Sequence, residues 1–324
     1  MKQYWIKSEG KSTALEMREV PVPQPGPGEM LLRVRATSLN RGDILATIAR
    51  HRADVARPAG ADAAGEVHAV GDGITAFKVG ERVMARARGS FAQYVLVDPA
   101  LATTIPPRLS WEQAAAVPIS FVTAWEALVQ FGRLQAGEWL LIAGASSGVG
   151  VACLQAGKFL GAKVVGVSGS PGKLEKLRAL GLDVGICARG EDFSARVLEA
   201  TGGKGVDLAV NLVGGTAFPA CQNALADFGR LAIVGYVDAV MMTKLDLEAV
   251  HGKRLQIFGV SNAPLSPAAR AEATHGFVRD LMPALSDGRI MPVVDSVFPF
   301  DQLPAAKAYV ESGALLGKVI ISMD

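Results

Sequence analysis

The sequence predicts an α/β protein with two parts, a twisted antiparallel, barrel-like β domain and a doubly wound parallel sheet covered by helices. Short β-like runs separated by Pro and Gly fill residues 1–100, which predicts the barrel-like part. Strand and helix patterns then alternate over residues 139–260, which predicts the parallel sheet. Within that stretch, residues 139–169 read as strand, glycine-rich turn, helix and second strand, so they predict a βαβ unit.

The predicted elements before the βαβ unit are short. The candidate strands are residues 5–6, 15–20, 31–36, 64–70, 82–85 and 92–97. A helical pattern follows over residues 109–132, with Ser110 as its N-cap and Pro118 as the residue that breaks it in two.

Helices and strands alternate after the βαβ unit. The predicted helices are residues 173–180, 193–201 and 219–225, and the predicted strands are residues 184–187, 206–211, 230–234 and 255–260. The tail is predicted to hold one long helix (267–286), a short run (295–299), a short helix (303–311) and a closing strand (318–322). We expect this tail to return to the first domain.

Composition and charge narrow the class of protein. The 324 residues are long for a single core, and a hydrophobic content of 50% can fill two. The formal net charge is +2 and no basic run is interleaved with aromatic residues, so nucleic-acid binding has no support. The opening residues lack the apolar stretch of a signal peptide, and no segment is apolar enough to span a bilayer. We therefore expect a cytoplasmic protein with no membrane partner.

The cysteines exclude two kinds of site. Cys153, Cys187 and Cys221 are widely spaced and form no CxxC pair, which argues against a disulfide framework and against a thiolate zinc site. We expect all three to be buried and to behave as small apolar residues.

The glycine-rich turn of the βαβ unit predicts a dinucleotide site. Small residues let the chain turn sharply and let a pyrophosphate approach the backbone, while free N–H groups and the helix dipole favour its negative charge. The residues expected to bind are Gly144, Ala145, Ser146, Ser147, Gly148, Val149 and Gly150. The alternative is a tight turn without a ligand.

The end of the second strand indicates which dinucleotide is bound. An NAD-selective site usually has an Asp or Glu here for the ribose hydroxyls, whereas this chain has Ser168, Gly169, Ser170 and Lys173. Two hydroxyls and a cation suit a 2′-phosphate, so NADPH is favoured over NADH. The alternative is a pair of ordinary loop serines followed by an exposed helix face that Lys173 opens.

Several motifs together resemble one known family. They are LNRGD (39–43), GADAAGEVHAVGDGITAFKVGERV (60–83), GASSGVG (144–150), ALGLD (179–183), GVDLAVNLVGG (205–215), GRLAIVG (229–235) and GKVII (317–321). In this order they resemble the zinc-lacking quinone oxidoreductase branch of the medium-chain dehydrogenase/reductase family, over essentially the whole chain. The resemblance implies a GroES-like catalytic domain (1–117), a Rossmann NADP-binding domain (118–262) and a C-terminal return to the catalytic domain (263–324). It also implies an active-site cleft between the domains and a homodimer or higher oligomer.

The resemblance also indicates that no metal is bound. Zinc-dependent relatives carry a cysteine where this chain has Arg41, a His-Glu pair around Asp62 and Ala63, and another cysteine near Ser120. Zinc needs such nitrogen and sulfur donors. Glu66 and His68 also lie two residues apart on one strand face, and we interpret them as a solvated pair.

The catalytic residues that the resemblance implies are Asn40, Asp43, Thr123 and His51. Asn40 and Asp43 are expected beside the nicotinamide pocket, with the Asn40 amide polarising a substrate carbonyl, and Thr123 is expected to approach the nicotinamide. The alternative for Asn40 and Asp43 is a turn in which the side chains bond their own backbone. His51 stands where enoyl-reductase relatives carry a tyrosine proton donor, and its alternative is an exposed loop histidine.

Further cofactor contacts are expected elsewhere in the Rossmann domain. The tyrosine that helps relatives to hold the 2′-phosphate is Ala188 here, and the following Arg189 is expected to supply charge instead. The other expected contacts are Val213, Gly235, Tyr236, Phe258 and Val260.

These residues predict an NADPH-dependent, zinc-independent oxidoreductase that transfers hydride to a small-molecule quinone. An α,β-unsaturated carbonyl is the alternative acceptor, and the missing tyrosine favours the quinone because a quinone takes its protons easily. A hypothesis of another class is a nucleotide-binding scaffold with little turnover.

Overall fold

The computed structural model describes residues 1–9, 12–44, 55–190, 192–261 and 266–323. Its strands are β1 (Lys2–Glu9), β2 (Ser12–Glu19), β3 (Met30–Leu39), β4 (Arg57–Pro58), β5 (Asp62–Val70), β6 (Arg82–Arg86), β7 (Tyr94–Val97), β8 (Ala102–Thr104), β9 (Trp139–Ala143), β10 (Lys163–Ser168), β11 (Val184–Cys187), β12 (Val206–Asn211), β13 (Leu225–Ile233), β14 (Gln256–Gly259), β15 (Val294–Pro299) and β16 (Lys318–Ser322). Its α-helices are α1 (Arg41–Ile44), α2 (Trp111–Ala115), α3 (Pro118–Trp125), α4 (Gly148–Phe159), α5 (Pro171–Arg178), α6 (Ser194–Ala200), α7 (Phe218–Asn223), α8 (Leu247–Gly252), α9 (Pro267–Asp280), α10 (Met282–Asp287) and α11 (Leu303–Ser312).

The chain divides into two compact units. The first contains Met1–Ile119, Arg270–Ser286 and Pro292–Asp324, and the second contains Ser120–Ala269 and Asp287–Met291. Each unit has its own sheets, and the predicted α/β class is confirmed.

The first unit is built on two sheets. A seven-stranded sheet has the order β15-β16-β3-β5-β6-β8, with β7 paired to β3, and a three-stranded sheet has the order β2-β1-β4. The pairs are antiparallel, as predicted, apart from β15 with β16. Those two strands are parallel because α11 carries the chain back to the end where β15 began. Alternating side chains of β3 and β5, such as Leu32, Val34 and Val67, fill the core.

The second unit contains a six-stranded parallel sheet in the order β11-β10-β9-β12-β13-β14. The central strand β9 is apolar throughout, and Leu140, Leu141 and Ile142 are fully buried, as expected for a parallel strand covered on both faces. The chain runs outward from β9 to β11 and then crosses to β12 on the other side of β9. That reversal creates a crevice at the carboxyl ends of β9 and β12, which is where open α/β sheets bind ligands.

Prolines explain where two helical segments divide. Ser110 caps α2 through a capping box with Gln113, and α3 begins at Pro118, as the sequence predicts. The single helix expected over residues 267–286 is wrong, because α9 ends at Asp280 and α10 starts at Met282. Pro283 lacks an N–H group, and its ring would clash with a carbonyl of the preceding turn, so one continuous helix cannot form.

Candidate functional site

The turn between β9 and α4 presents the start of the helix to a ligand. Gly144 has a φ of 88°, a conformation that favours glycine. Ser147 caps α4, since its Oγ accepts from Gly150 N over 3.1 Å and donates to Gly144 O over 2.9 Å. A Cβ on Gly150 would lie 2.5 Å from Gly144 O, so only glycine fits. The N–H groups of the first helical turn and the helix dipole can hold a pyrophosphate here.

A cation lies beside the carboxyl end of β10. Ser168 is 6% exposed, and its Oγ donates to Ser146 Oγ over 3.4 Å. The exposed Arg189 follows β11, and its guanidinium lies across Gly169, since a Cβ there would be 2.8 Å from Nε. Residues 168–173 contain no carboxylate. The arrangement suits a phosphate better than a ribose diol.

Two further predicted residues extend this loop into α5. Ser170 occupies the N-cap position of the helix without a side-chain cap bond, so its hydroxyl is not used by the helix. Lys173 lies half-buried in the first helical turn. Ser168, Gly169, Ser170 and Lys173 thus follow one another from the end of β10 into α5, and Arg189 contacts this segment at Gly169.

The loop after β12 is organised by a buried asparagine that sequence reasoning missed. Asn211 is 1% exposed, and its Oδ1 accepts from Val213 N over 2.9 Å and from Gly214 N over 3.0 Å. Its backbone oxygen also accepts from Gly235 N over 3.3 Å. A Cβ added to Gly144 would lie 3.4 Å from Val213 Cγ2. Three predicted cofactor residues, Gly144, Val213 and Gly235, are thus brought together at the crevice. A polar residue ending an apolar strand was the available signal.

Asp238 ties the loop after β13 to the loop after β12. Its backbone N donates to Val213 O over 2.9 Å, and its Oδ2 accepts from Thr216 N and Thr216 Oγ1 over 2.8 and 2.6 Å. The predicted residue Tyr236 lies in the same loop and is 44% exposed. Sequence reasoning missed Asp238, because nothing in a single sequence pairs a loop aspartate with a threonine 22 residues away.

The remaining predicted residues of the second unit are less closely grouped. Val260 is buried and donates from its N to Ile233 O over 2.9 Å, which places it just beyond β14. Phe258 lies within β14, with its ring centroid 6.1 Å from that of Phe131. Thr123 is 3% exposed within α3.

The first unit contains a buried polar cluster around Asn40. Asn40 Nδ2 donates to Asp43 Oδ2 over 3.0 Å and to Asp62 Oδ2 over 2.8 Å. Asn40 Oδ1 accepts from Lys318 Nζ over 2.6 Å. Asp62 Oδ2 also accepts from Ser38 Oγ over 2.7 Å and lies 3.4 Å from Lys318 Nζ. The Asp62 and Lys318 side chains are 0% and 6% exposed, so an ion pair is removed from water here.

Strand order explains why these distant residues meet. β3 lies between β16 and β5 and is antiparallel to both. The end of β3 therefore adjoins the first residues of β16 and β5, which are Lys318 and Asp62. Asn40, directly after β3, reaches both. The predicted pair Asn40 and Asp43 is brought together, and Asp43 Oδ2 also accepts from Asn40 N over 3.1 Å, which is the turn bonding that was the alternative.

Sequence reasoning missed Lys318, Asp62 and Ser38 as members of this cluster. A charged residue at the start of an apolar strand was the signal in both GADAAG and GKVII. His51, the predicted proton donor, lies outside the described residues.

The residues present do not fit a zinc ion. Asp62 already accepts an ammonium, an amide and a hydroxyl, and a second cation would be repelled by Lys318. Arg41 donates to Val310 O over 3.3 Å, and burial lowers the pKa of its guanidinium. Across the ranges that the structure describes, no three His, Cys, Asp or Glu side chains group as metal ligands.

One prediction about the cysteines is wrong. Cys153 and Cys221 are buried, and burial raises the pKa of each thiol to about 12. Cys187 is exposed instead, because it ends the outer strand β11 of the sheet, where no further strand covers it among the described residues.

Within the described part of the chain, no helix has both the length and the apolar character needed to cross a membrane. The predicted cytoplasmic location stays a prediction.

Two family models match the chain. The alcohol dehydrogenase GroES-like domain matches residues 26–107, and the zinc-binding dehydrogenase domain matches residues 148–272. These two matches fall in the first and second unit respectively, apart from residues 270–272.

Solved structures resemble the whole chain. Mycobacterial Rv1454c complexed with NADPH is 25% identical, with a TM-score of 0.89 and coverage of 99% of both chains. CurK enoyl reductase is 25% identical, with a TM-score of 0.86 and coverage of 100% of this chain and 99% of that one. A quinone oxidoreductase of Pseudomonas syringae pv. Tomato DC3000 is 26% identical, with a TM-score of 0.85 and coverage of 99% and 100%.

Curated relatives are much longer proteins. A mycocerosic acid synthase-like polyketide synthase of Mycobacterium tuberculosis is 32% identical over an alignment 328 residues long, which covers 98% of this chain and 15% of that protein. The chain thus spans about a seventh of the length of this relative.

The two domains, their order and the dinucleotide crevice define an oxidoreductase of the medium-chain dehydrogenase/reductase family, to which the chain belongs. The solved neighbours include quinone oxidoreductases and an enoyl reductase, which is consistent with the zinc-lacking quinone oxidoreductase branch that the motifs predict.

Proposed function

We propose that the chain is an NADPH-dependent oxidoreductase that transfers hydride to a quinone without a metal. The observation that carries the proposal is the anion site at the end of β10, where Arg189 lies across Gly169 beside Ser168 and no carboxylate is present. A 2′-phosphate matches this charge, whereas a ribose diol would lack its usual acidic partner. The NADPH complex of Rv1454c, which has the same fold, supports the choice.

The residues of the second unit would hold the parts of NADPH separately. The start of α4, with Ser147 and Gly150, would hold the pyrophosphate, and the loops at Val213 and Gly235 would support the nicotinamide end. Bound NADPH supplies a hydride, and the oxidised quinone accepts it together with a proton to become the quinol. Thr123 remains a proposed contact of the nicotinamide.

Asn40 is the proposed donor to the acceptor oxygen. Both of its amide hydrogens donate to carboxylates, so one must be released before the amide can polarise a substrate. We expect the substrate to replace Asp43, because the bond from Nδ2 to Asp43 is longer (3.0 Å) than the bond to Asp62 (2.8 Å). Asp43 would still accept from the backbone N of Asn40. A quinol takes its proton readily from water, so this scheme needs no placed acid.

Reduction of an α,β-unsaturated carbonyl is the second candidate. CurK enoyl reductase covers the whole fold, and the curated relatives include polyketide synthases. An enone product needs a proton on carbon, which calls for a positioned acid. His51 is the candidate for that acid, and the two acceptors therefore differ in their dependence on it.

The test is NADPH oxidation followed by absorbance, with 1,4-benzoquinone, 9,10-phenanthrenequinone and 1-octen-3-one as acceptors and NADH as the cofactor control. Quinone-dependent oxidation that prefers NADPH is the expected result. Faster turnover of the enone, lost in H51A, would replace the quinone with the second candidate. Tight NADPH binding without turnover of any acceptor would instead indicate a nucleotide-binding scaffold.

We also propose that the protein is a homodimer. β14 is the last strand of the parallel sheet among the described residues, and its outer edge offers unpaired N–H and C=O groups. Ile257, within this strand, is 37% exposed. Light scattering at several protein concentrations should give a mass twice the chain mass of 33.8 kDa. The variant I257P removes an N–H group from the strand edge, so its measured mass should move toward that of the monomer. A monomer mass for the wild type would contradict the proposal.

A further inference from the structure

Lys318 places its ammonium where it can make three hydrogen bonds. Nζ donates to Asn40 Oδ1 over 2.6 Å, to Leu39 O over 3.2 Å and to Asp62 Oδ2 over 3.4 Å. An ammonium carries three hydrogens, so these acceptors use its full capacity. The shortest of the three bonds is the one to Asn40.

The chemistry of these partners determines how the Asn40 amide is oriented. An ammonium can only donate, so Oδ1 must face Lys318. Carboxylates can only accept, so Nδ2 must face Asp43 and Asp62. A flipped amide would direct N–H groups at an ammonium and an oxygen at two carboxylates. Both ends of the amide are therefore set by charge, and Lys318 sets one of them alone.

We propose that Lys318 is a positioning residue for hydride transfer, which holds the amide of Asn40 so that its N–H groups can reach the acceptor oxygen. The inference rests on the proposed function, in which one N–H group of Asn40 stops donating to Asp43 and donates to the acceptor oxygen instead. The bond to Lys318 is at the opposite end of the amide, so it persists through that exchange. An ammonium on Oδ1 also polarises the amide and makes its N–H groups better donors.

Stability alone does not account for this ion pair. Exchange of a buried ion pair for apolar residues of similar volume is often neutral or stabilising, whereas removal of one partner leaves an uncompensated charge. Asp62 is 0% exposed in its side chain and also accepts from Ile119 N over 2.8 Å. K318M would therefore leave a buried, unpaired carboxylate and unfold the protein for reasons unrelated to catalysis.

The test variant is accordingly D62N/K318M, which removes both charges together. Its matched control is E138Q/R230M in the second unit, where Arg230 Nη2 lies 2.6 Å from Glu138 Oε2 and the side chains are 11% and 23% exposed. Each double variant is prepared with and without N40A. The kcat with a quinone, the KM of the quinone and the Kd of NADPH are measured for all of them, below the melting temperature of each.

The expected result is a kcat lowered about 100-fold by D62N/K318M when Asn40 is present, since a misplaced donor has that order of cost. In the N40A background the same double variant should change kcat by less than about twofold, because residues that act through one another are not additive. The Kd of NADPH should not move, and E138Q/R230M should keep the wild-type kcat.

Equal losses of kcat with and without Asn40 would overturn the inference, since they would mean that the ion pair supports the fold and does not act through the amide. A comparable loss in E138Q/R230M would overturn it as well. Absence of turnover by the wild type with every acceptor is a different outcome, which overturns the proposed function and this inference with it.

Discussion

Arg189 packs its guanidinium against the backbone of Gly169, so closely that a Cβ on this glycine would lie 2.8 Å from Nε. The contact carries a cation from the end of β11 to the loop after β10. That loop is where a 2′-phosphate and a ribose diol are told apart. Each side of the contact can be changed independently.

R189A should raise the KM of NADPH about 10-fold and leave the KM of NADH unchanged, because only NADPH carries the extra phosphate. The loss is modest because the guanidinium is exposed and screened by solvent. Steady-state kinetics with both cofactors measures it. R178A, which removes another exposed arginine, paired with Glu175, is the control and should change neither value.

G169A should weaken NADPH binding by displacing the guanidinium instead of removing it. The expected effect is smaller, about threefold in Kd, because a flexible side chain can move away from the new methyl group. Fluorescence titration of NADPH measures it. In G172A the Cβ meets nothing within 4 Å, so this neighbour should bind as the wild type does. An additive loss in G169A/R189A would show that the two residues act separately.

N40A should lower kcat with a quinone about 100-fold, the order expected for loss of one donor to a developing oxyanion, with an unchanged Kd for NADPH. Stopped-flow measurement of hydride transfer separates this step from binding. N223A changes an exposed asparagine of α7 and should leave kcat as it is. A wild-type kcat in N40A would remove Asn40 from the reaction.

Thiol reagents should distinguish the exposed Cys187 from the two buried cysteines. Burial raises the pKa of Cys153 and Cys221 to about 12, so at pH 8 roughly one such thiol in 10,000 is the reactive thiolate. Titration of the native protein with a disulfide reagent at pH 8 should therefore modify Cys187 alone, and denaturation should expose all three. In C187S the native reaction should disappear. Rapid native modification of a second thiol would contradict the assignment.

The sequence predicted correctly those helix ends and turns that depend on residues only a few positions apart. Ser110 and Pro118 mark a cap and a break because capping and the missing proline N–H group act within one helical turn. The turn at residues 144–150 was predictable for the same reason. Pro283 is an equally local signal, and it already indicates that a single helix over residues 267–286 is wrong.

The cluster around Asn40 could be predicted only in part. LNRGD places Asn40 three residues from Asp43, and the structure keeps them in contact. Lys318 lies 278 residues from Asn40 in the chain, and only the antiparallel placement of β16 beside β3 brings them together. No pattern within a single sequence links two positions that lie so far apart.

Sequence patterns were enough to predict the family, the two domain types and the dinucleotide turn, because these follow from periodicity, small residues and motifs within one segment. Only the folded chain shows which way the Asn40 amide faces, that the Lys318 ammonium contacts both Asn40 and Asp62, and that Arg189 reaches the loop after β10. Each of these depends on strand order, which joins residues that are far apart in the chain.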